Sequence, residues 1–94
     1  MMVDTDPQLI VYTNSKIRCP YCISAKNALV AGGYRFEERD VAIPTIRAEL
    51  LKKRPSAKTV PQIFLANDTY IGGCDDLLSL IEQNKLGLMI DLNS

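Results

Sequence analysis

The chain has no histidine and no tryptophan among its 94 residues, and only three cysteines. A structural zinc site wants four ligands, commonly two Cys-x-x-Cys pairs or a cysteine pair with a histidine pair. Neither set can be assembled here. Any thiol that is activated must also draw its activation from something other than an imidazole. Charge of one sign is not in excess, since Lys plus Arg and Asp plus Glu both number 11. That balance leaves no electrostatic footprint for nucleic acid or an anionic membrane surface. No apolar run approaches the roughly 20 residues of a membrane span. The start, "MMVDTDPQ", carries Asp4 and Asp6 and lacks the basic-then-apolar pattern of a secretory signal. The expectation is a cytoplasmic protein that engages neither membrane nor nucleic acid. In that compartment thiols are kept reduced, so a close cysteine pair is more often catalytic or metal-binding than a structural staple. An odd number of cysteines also argues against a closed disulfide framework.

What is present is enough for one domain, taken as residues 1–94, with an apolar content of 47%. "QLIVYT" (8–13) is short, apolar and β-branched and predicts a buried strand. From Tyr21 the spacing turns helical through Ala25, Ala28 and Leu29, and the glycines at 32 and 33 end that helix. "YRFEERDV" (34–41) alternates and predicts a second strand. Pro44 opens a helix whose stripe is Ile46, Leu50 and Leu51, and Pro55 stops it. "QIFLA" (62–66) and "TYIGG" (69–73) flank "ND", a hairpin signal without the usual glycine. "DDLLSLIEQN" (75–84) predicts a helix with an acidic, capped start and Leu77, Leu78 and Ile81 on one face. The tail "KLGLMIDLNS" predicts one more short helix. The order β-α-β-α-β-β-α opens with a right-handed parallel βαβ unit and closes with an antiparallel hairpin.

The chemistry concentrates in "KIRCPYCISAKNAL" (16–29), where Cys19 and Cys22 stand three positions apart. Cys19 falls at a helix start and Pro20 at the first helical position, where a missing N–H costs nothing. A helix N-terminus presents unpaired N–H groups and partial positive charge. A thiolate there is stabilised, so the ordinary thiol pKa of about 8.5 can fall to roughly 3.5–7.5, more so beside cations such as Arg18 and Lys16. Cys22 lies one turn deeper on nearly the same face. An exposed low-pKa thiol attacks a disulfide and the second thiol resolves the mixed disulfide. Inert packing or half of a zinc site are the competing readings; with no histidine and only Cys74 left over, the ligand set for zinc is short. Cys-x-x-Cys beside a βαβ pattern is the signature of a thioredoxin-like redox protein.

"TVPQIF" (59–64) and "GGCDDL" (72–77) follow "CPYC" in the order and at about the spacing of dithiol glutaredoxins. The chain resembles that family from about residue 8 to residue 84. The resemblance implies a thioredoxin fold, with a four-stranded mixed sheet flanked by helices. It implies Cys19 and Cys22 as the catalytic pair, and glutathione as reductant and co-substrate, with no tightly bound cofactor and no metal. Disulfide-containing or glutathionylated proteins are the implied partners of a monomeric enzyme. A cis bond at Pro61 is implied too, turning Val60 toward the thiols, where its main chain pairs with substrate. The glutathione residues implied are Lys16, Tyr21, Thr59, Val60, Pro61, Gly73, Cys74 and Asp75. Lys16 would meet the glycyl carboxylate, and the helix start at Cys74–Asp75 the γ-glutamyl end. Each has a plainer reading: a solvated lysine, a surface tyrosine, a trans turn at Pro61, and simple N-capping by Asp75 or Asp76. The loop "TNSKIR" is about two residues longer than the family's, with Asn14 and Ser15 as the extras, so Arg18 stands as an alternative to Lys16. Arg47 and Lys58 are candidates for a second basic contact. Cys74 either packs in the core or serves as a regulatory thiol open to oxidation. Two other functions compete. One is a carrier bridging an iron–sulfur cluster through Cys19 and glutathione, disfavoured by the stiffening proline of "CPYC". The other is a thioredoxin-type donor, disfavoured by the absence of tryptophan and of a "WCGPC" site.

Overall fold

The apolar run near the start becomes β1 (Leu9–Thr13), and its neighbours explain why it shows no clean alternation. The computed structural model describes residues 6–93, so the reading of the start that rests on Asp4 lies outside the described residues, as does Ser94 of the tail. The elements that follow are α1 (Pro20–Ala31), β2 (Phe36–Asp40), α2 (Pro44–Lys53), β3 (Gln62–Leu65), β4 (Tyr70–Gly72), α3 (Cys74–Glu82) and α4 (Leu86–Leu92). The sheet order is β2-β1-β3-β4. β1 runs parallel to β2 and antiparallel to β3, and β3 runs antiparallel to β4. This is the mixed sheet of a thioredoxin fold, and the short helix predicted in the tail is present as α4.

Helices cover both faces of the sheet, so its central strands carry apolar residues on both sides. On one face Leu9, Val11, Ile63 and Leu65 meet Ala25 and Leu29 of α1, Leu77 of α3 and Leu86 of α4. On the other, Tyr12 and Phe64 meet Val41 and Leu50. The edge strand β2 is blunted by Glu37, Glu38, Arg39 and Asp40, which discourage pairing with another chain. The strand is shorter than the predicted 34–41. Tyr34 instead belongs to the end of α1, where its N–H donates to the Leu29 carbonyl after Gly33 takes φ +76°.

The hairpin forms without glycine because Asp68 takes the left-handed position, φ +72°, which Asn and Asp tolerate. Asn67 Oδ1 accepts the Thr69 N–H across the same turn. Two predicted stripe positions are corrected. Leu51 and Leu78 are each 39% exposed, and Leu80 joins Leu77 and Ile81 against the core instead.

Candidate active site

Cys19 is the N-cap of α1 and Pro20 its first residue. The Cys19 sulfur accepts the Cys22 N–H at 3.2 Å, one of the orphan donors of the first helical turn. Cys22 is 4% exposed and joined to Cys19 by a disulfide, with Cα atoms 5.2 Å apart. Cys19 is the more accessible of the two. Opposite it, the Val60 carbonyl oxygen lies 3.6 Å from the Cys19 sulfur. The Val60–Pro61 bond is cis, as the resemblance implied.

The loop before Cys19 is anchored by the residues that lengthen it. Ser15 donates its N–H (3.0 Å) and its hydroxyl (2.6 Å) to the Asp40 carboxylate at the end of β2. Asn14 Oδ1 accepts the Lys16 N–H. Those two bonds from Ser15, with another from the Ala42 N–H, hold the Asp40 carboxyl below the usual carboxylate range. The charge of Lys16 acts on Asp40 in the same direction.

Beside the thiols opens a hollow of about 490 Å³. Seven of the eight proposed glutathione residues line it: Tyr21 on the helix side, Thr59, Val60 and Pro61 on the loop, and Gly73, Cys74 and Asp75 at the start of α3. The eighth, Lys16, does not. A second hollow of about 170 Å³ lies across the loop and is lined by Arg47, Lys58 and Leu51 among others. Thr59 and Val60 line both, so they form a ridge between the two. Arg18 lines neither. Sequence reasoning passed over Gln62 and Tyr70, which also line the larger hollow; the signal available was a lone amide inside an apolar strand.

At α3 the two aspartates divide. Gly73 is the N-cap, and Asp76 reaches back so that its Oδ2 accepts the Gly73 N–H at 3.1 Å. Gly72 sits at φ +134°, and a Cβ there would overlap the Asp76 carboxylate. Asp75 makes no hydrogen bond or ion pair among the described residues and stands exposed at the hollow. Cys74 is a buried free thiol, 5% exposed. Burial first, and the Asp75 charge second, push its pKa up. Both suppress the thiolate, which favours packing over oxidation as its role.

This arrangement fits known proteins along most of its length. The glutaredoxin family model matches residues 9–71. A glutaredoxin of Pseudomonas aeruginosa is 42% identical over 87 residues, 89% of this chain and 96% of the relative. The solution structure of a glutaredoxin from Brucella melitensis superposes with a TM-score of 0.73 at 37% identity, covering 96% of this chain and 95% of that one. A crystal structure of a buckwheat glutaredoxin–glutathione complex gives a TM-score of 0.72 at 27% identity, over 89% and 76% of the two chains. With a thiol pair at the head of α1, facing the ridge at Val60, and with relatives matched almost end to end, the chain belongs to the glutaredoxin family.

Proposed function

We propose that Cys19 is the attacking sulfur and Cys22 the resolving one in a glutathione-dependent thiol–disulfide oxidoreductase. One observation carries the division of labour: the Cys19 sulfur accepts a first-turn N–H at 3.2 Å while Cys22 is 4% exposed. The Cys19 thiolate attacks the glutathionyl sulfur of a mixed disulfide, and the other thiol leaves with the electron pair. A second glutathione thiolate then opens the Cys19–glutathione disulfide, giving oxidised glutathione and regenerating Cys19. On a protein disulfide, Cys22 attacks the intermediate instead and forms the Cys19–Cys22 disulfide, which two glutathione molecules reduce in turn.

The tripeptide is read by charge across the ridge. Asp75 and the N–H groups opening α3 receive the γ-glutamyl ammonium and carboxylate. Thr59 and Val60 pair with its main chain, and Tyr21 lies along it. The glycyl carboxylate falls to Arg47 and Lys58, which line the second hollow, ahead of Lys16 and Arg18, which line neither. The choice of glutathione as the ligand is supported by the buckwheat glutaredoxin, which was solved as a complex with it. The same reading takes the protein as a monomer, because one chain supplies both sides of the cleft. It works in the cytoplasm, where reduced glutathione drives the cycle, on disulfide-bearing or glutathionylated proteins. Among the described residues, no helix is long and apolar enough to cross a membrane.

The test is a pair of variants assayed with glutathione and glutathione reductase. Cys19→Ser is expected to lose all disulfide reduction. Cys22→Ser is expected to keep turnover of glutathione mixed disulfides and lose reduction of protein disulfides. Activity retained in Cys19→Ser and lost in Cys22→Ser would reverse the assignment.

A further inference from the structure

Gln62 is an amide in a strand whose other members are apolar, and it is 5% exposed. A buried amide is costly unless its groups are hydrogen-bonded, and here both ends are engaged. Its Nε2 donates to the Thr59 carbonyl at 2.9 Å and to Thr59 Oγ1 at 3.3 Å. Its Oε1 accepts the Tyr70 hydroxyl at 2.7 Å. The Tyr70 ring is itself held, with the Arg54 guanidinium 3.8 Å from its centroid and the Phe64 ring at 5.2 Å.

The far end of this chain of contacts is the ridge. Thr59 and Val60 lie outside every helix and strand, and among the described residues no bond to another main-chain group holds them there. The Gln62 amide is what fastens the Thr59 carbonyl. Val60, the next residue, carries the carbonyl that stands 3.6 Å from the Cys19 sulfur. An apolar residue at 62 would match Ile63 and Phe64 yet leave the ridge unfastened.

We propose that Gln62, backed by Tyr70, is a positioning residue for the exchange reaction: its amide sets the Thr59–Val60 main chain so that a disulfide carried on a peptide is aligned on Cys19. The inference rests on the reading that this main chain pairs with substrate. It does not touch the sulfur itself, so a disulfide with no peptide to pair should be indifferent to it.

The test measures two second-order rate constants for the reduced protein by stopped flow. One is with a glutathione mixed disulfide, the other with bis(2-hydroxyethyl) disulfide, which has no main chain. The wild type is expected to favour the peptide-bearing disulfide. Gln62→Met is expected to cut that preference about fivefold, the factor one neutral hydrogen bond is typically worth, and Tyr70→Phe about two- to threefold. The rate with the peptide-free disulfide stays as in the wild type. Tyr70→Phe removes a single hydroxyl and carries the test alone if Gln62→Met does not fold. A wild-type preference kept in the folded variants overturns the inference and leaves the pairing reading standing. Equal loss of both rates overturns it as well, since that is general damage to the thiol site. A wild type with no preference overturns the pairing reading, and the inference with it.

Discussion

Asp75 and Asp76 are adjacent, both exposed and both at the mouth of the cleft, yet they are bonded differently, and the proposed function gives them separable jobs. Asp76 accepts the Gly73 N–H at 3.1 Å and so closes the start of α3. Removing a capping carboxylate typically costs about 1 kcal/mol. In a domain of about this size 1 kcal/mol moves the midpoint of thermal unfolding by roughly 4–8 °C. Asp76→Ala should therefore lower Tm by about that amount, and Asp76→Asn, which keeps an acceptor oxygen, should restore most of it. Among the described residues Asp75 has no hydrogen bond to lose. It contributes only its charge beside a helix N-terminus, about 0.3 kcal/mol for an exposed group at moderate salt, so Asp75→Ala should move Tm by only about 1–2 °C. On the proposed reading its effect falls on glutathione. A charge-assisted hydrogen bond, discounted for exposure, predicts a rise in KM for glutathione of about three- to tenfold. Circular dichroism melts and steady-state kinetics on the three variants decide the matter. Asp75→Ala melting as low as Asp76→Ala, with an unchanged KM, would refute the division.

Three further outcomes are expected. Arg47→Ala and Lys58→Ala should each raise KM for glutathione several-fold while Lys16→Ala and Arg18→Ala change it little; a dominant effect at Lys16 or Arg18 returns the carboxylate to the loop before Cys19. Alkylation of Cys22→Ser against pH should show an inflection below the unperturbed thiol value of about 8.5, because Cys19 caps a helix; an inflection at or above it removes the activation by α1. Tyr12 is fully buried and donates its hydroxyl to Glu49, a bond that holds the Glu49 carboxyl below the ordinary range. A depressed folded value stabilises above the unfolded pKa of about 4.3 and is lost as pH falls through the folded one. Tyr12→Phe should cost about 1–2 kcal/mol in urea at neutral pH and flatten the decline of stability below that range; equal acid sensitivity in both proteins would count against the coupling.

The parts of this fold that sequence revealed are those whose causes are local. A thiol, a proline and a second thiol one turn on need only the chemistry of a helix start, and Cys19, Pro20 and Cys22 occupy it as expected. The hairpin at Asn67–Asp68 needs only residues that tolerate a left-handed backbone. What stayed hidden depends on partners far along the chain. Leu51 and Leu78 lie within apolar stripes, but which sector of a stripe is covered is decided by the element packed against it. Asn14 and Ser15 read as a mere lengthening of a loop, because Asp40, which binds Ser15, is 25 positions away. That tether fixes where Lys16 stands, a position that counting back from Cys19 does not reveal. The loop is fastened to the end of β2, while Arg47 and Lys58, brought in by α2 and the segment after it, line the second hollow.

Gln62 shows the same limit inside a strand. Its place in "TVPQIF" marks it as one more strand residue, and alternation along β3 puts it on the face of Tyr12 and Phe64. Nothing local explains an amide there. The explanation needs Thr59 three residues before it, which is not in the sheet, and Tyr70 eight residues after it, which is. A polar side chain on a covered face has to find partners. Here the partners join the edge of the core to the Thr59–Val60 backbone beside the thiols. Burial and positioning thus become a single requirement on one residue. In the proposed mechanism the attacking sulfur draws its activation from the first turn of α1, which four residues can specify. The surface that presents a substrate to it depends on contacts that only the folded sheet brings together.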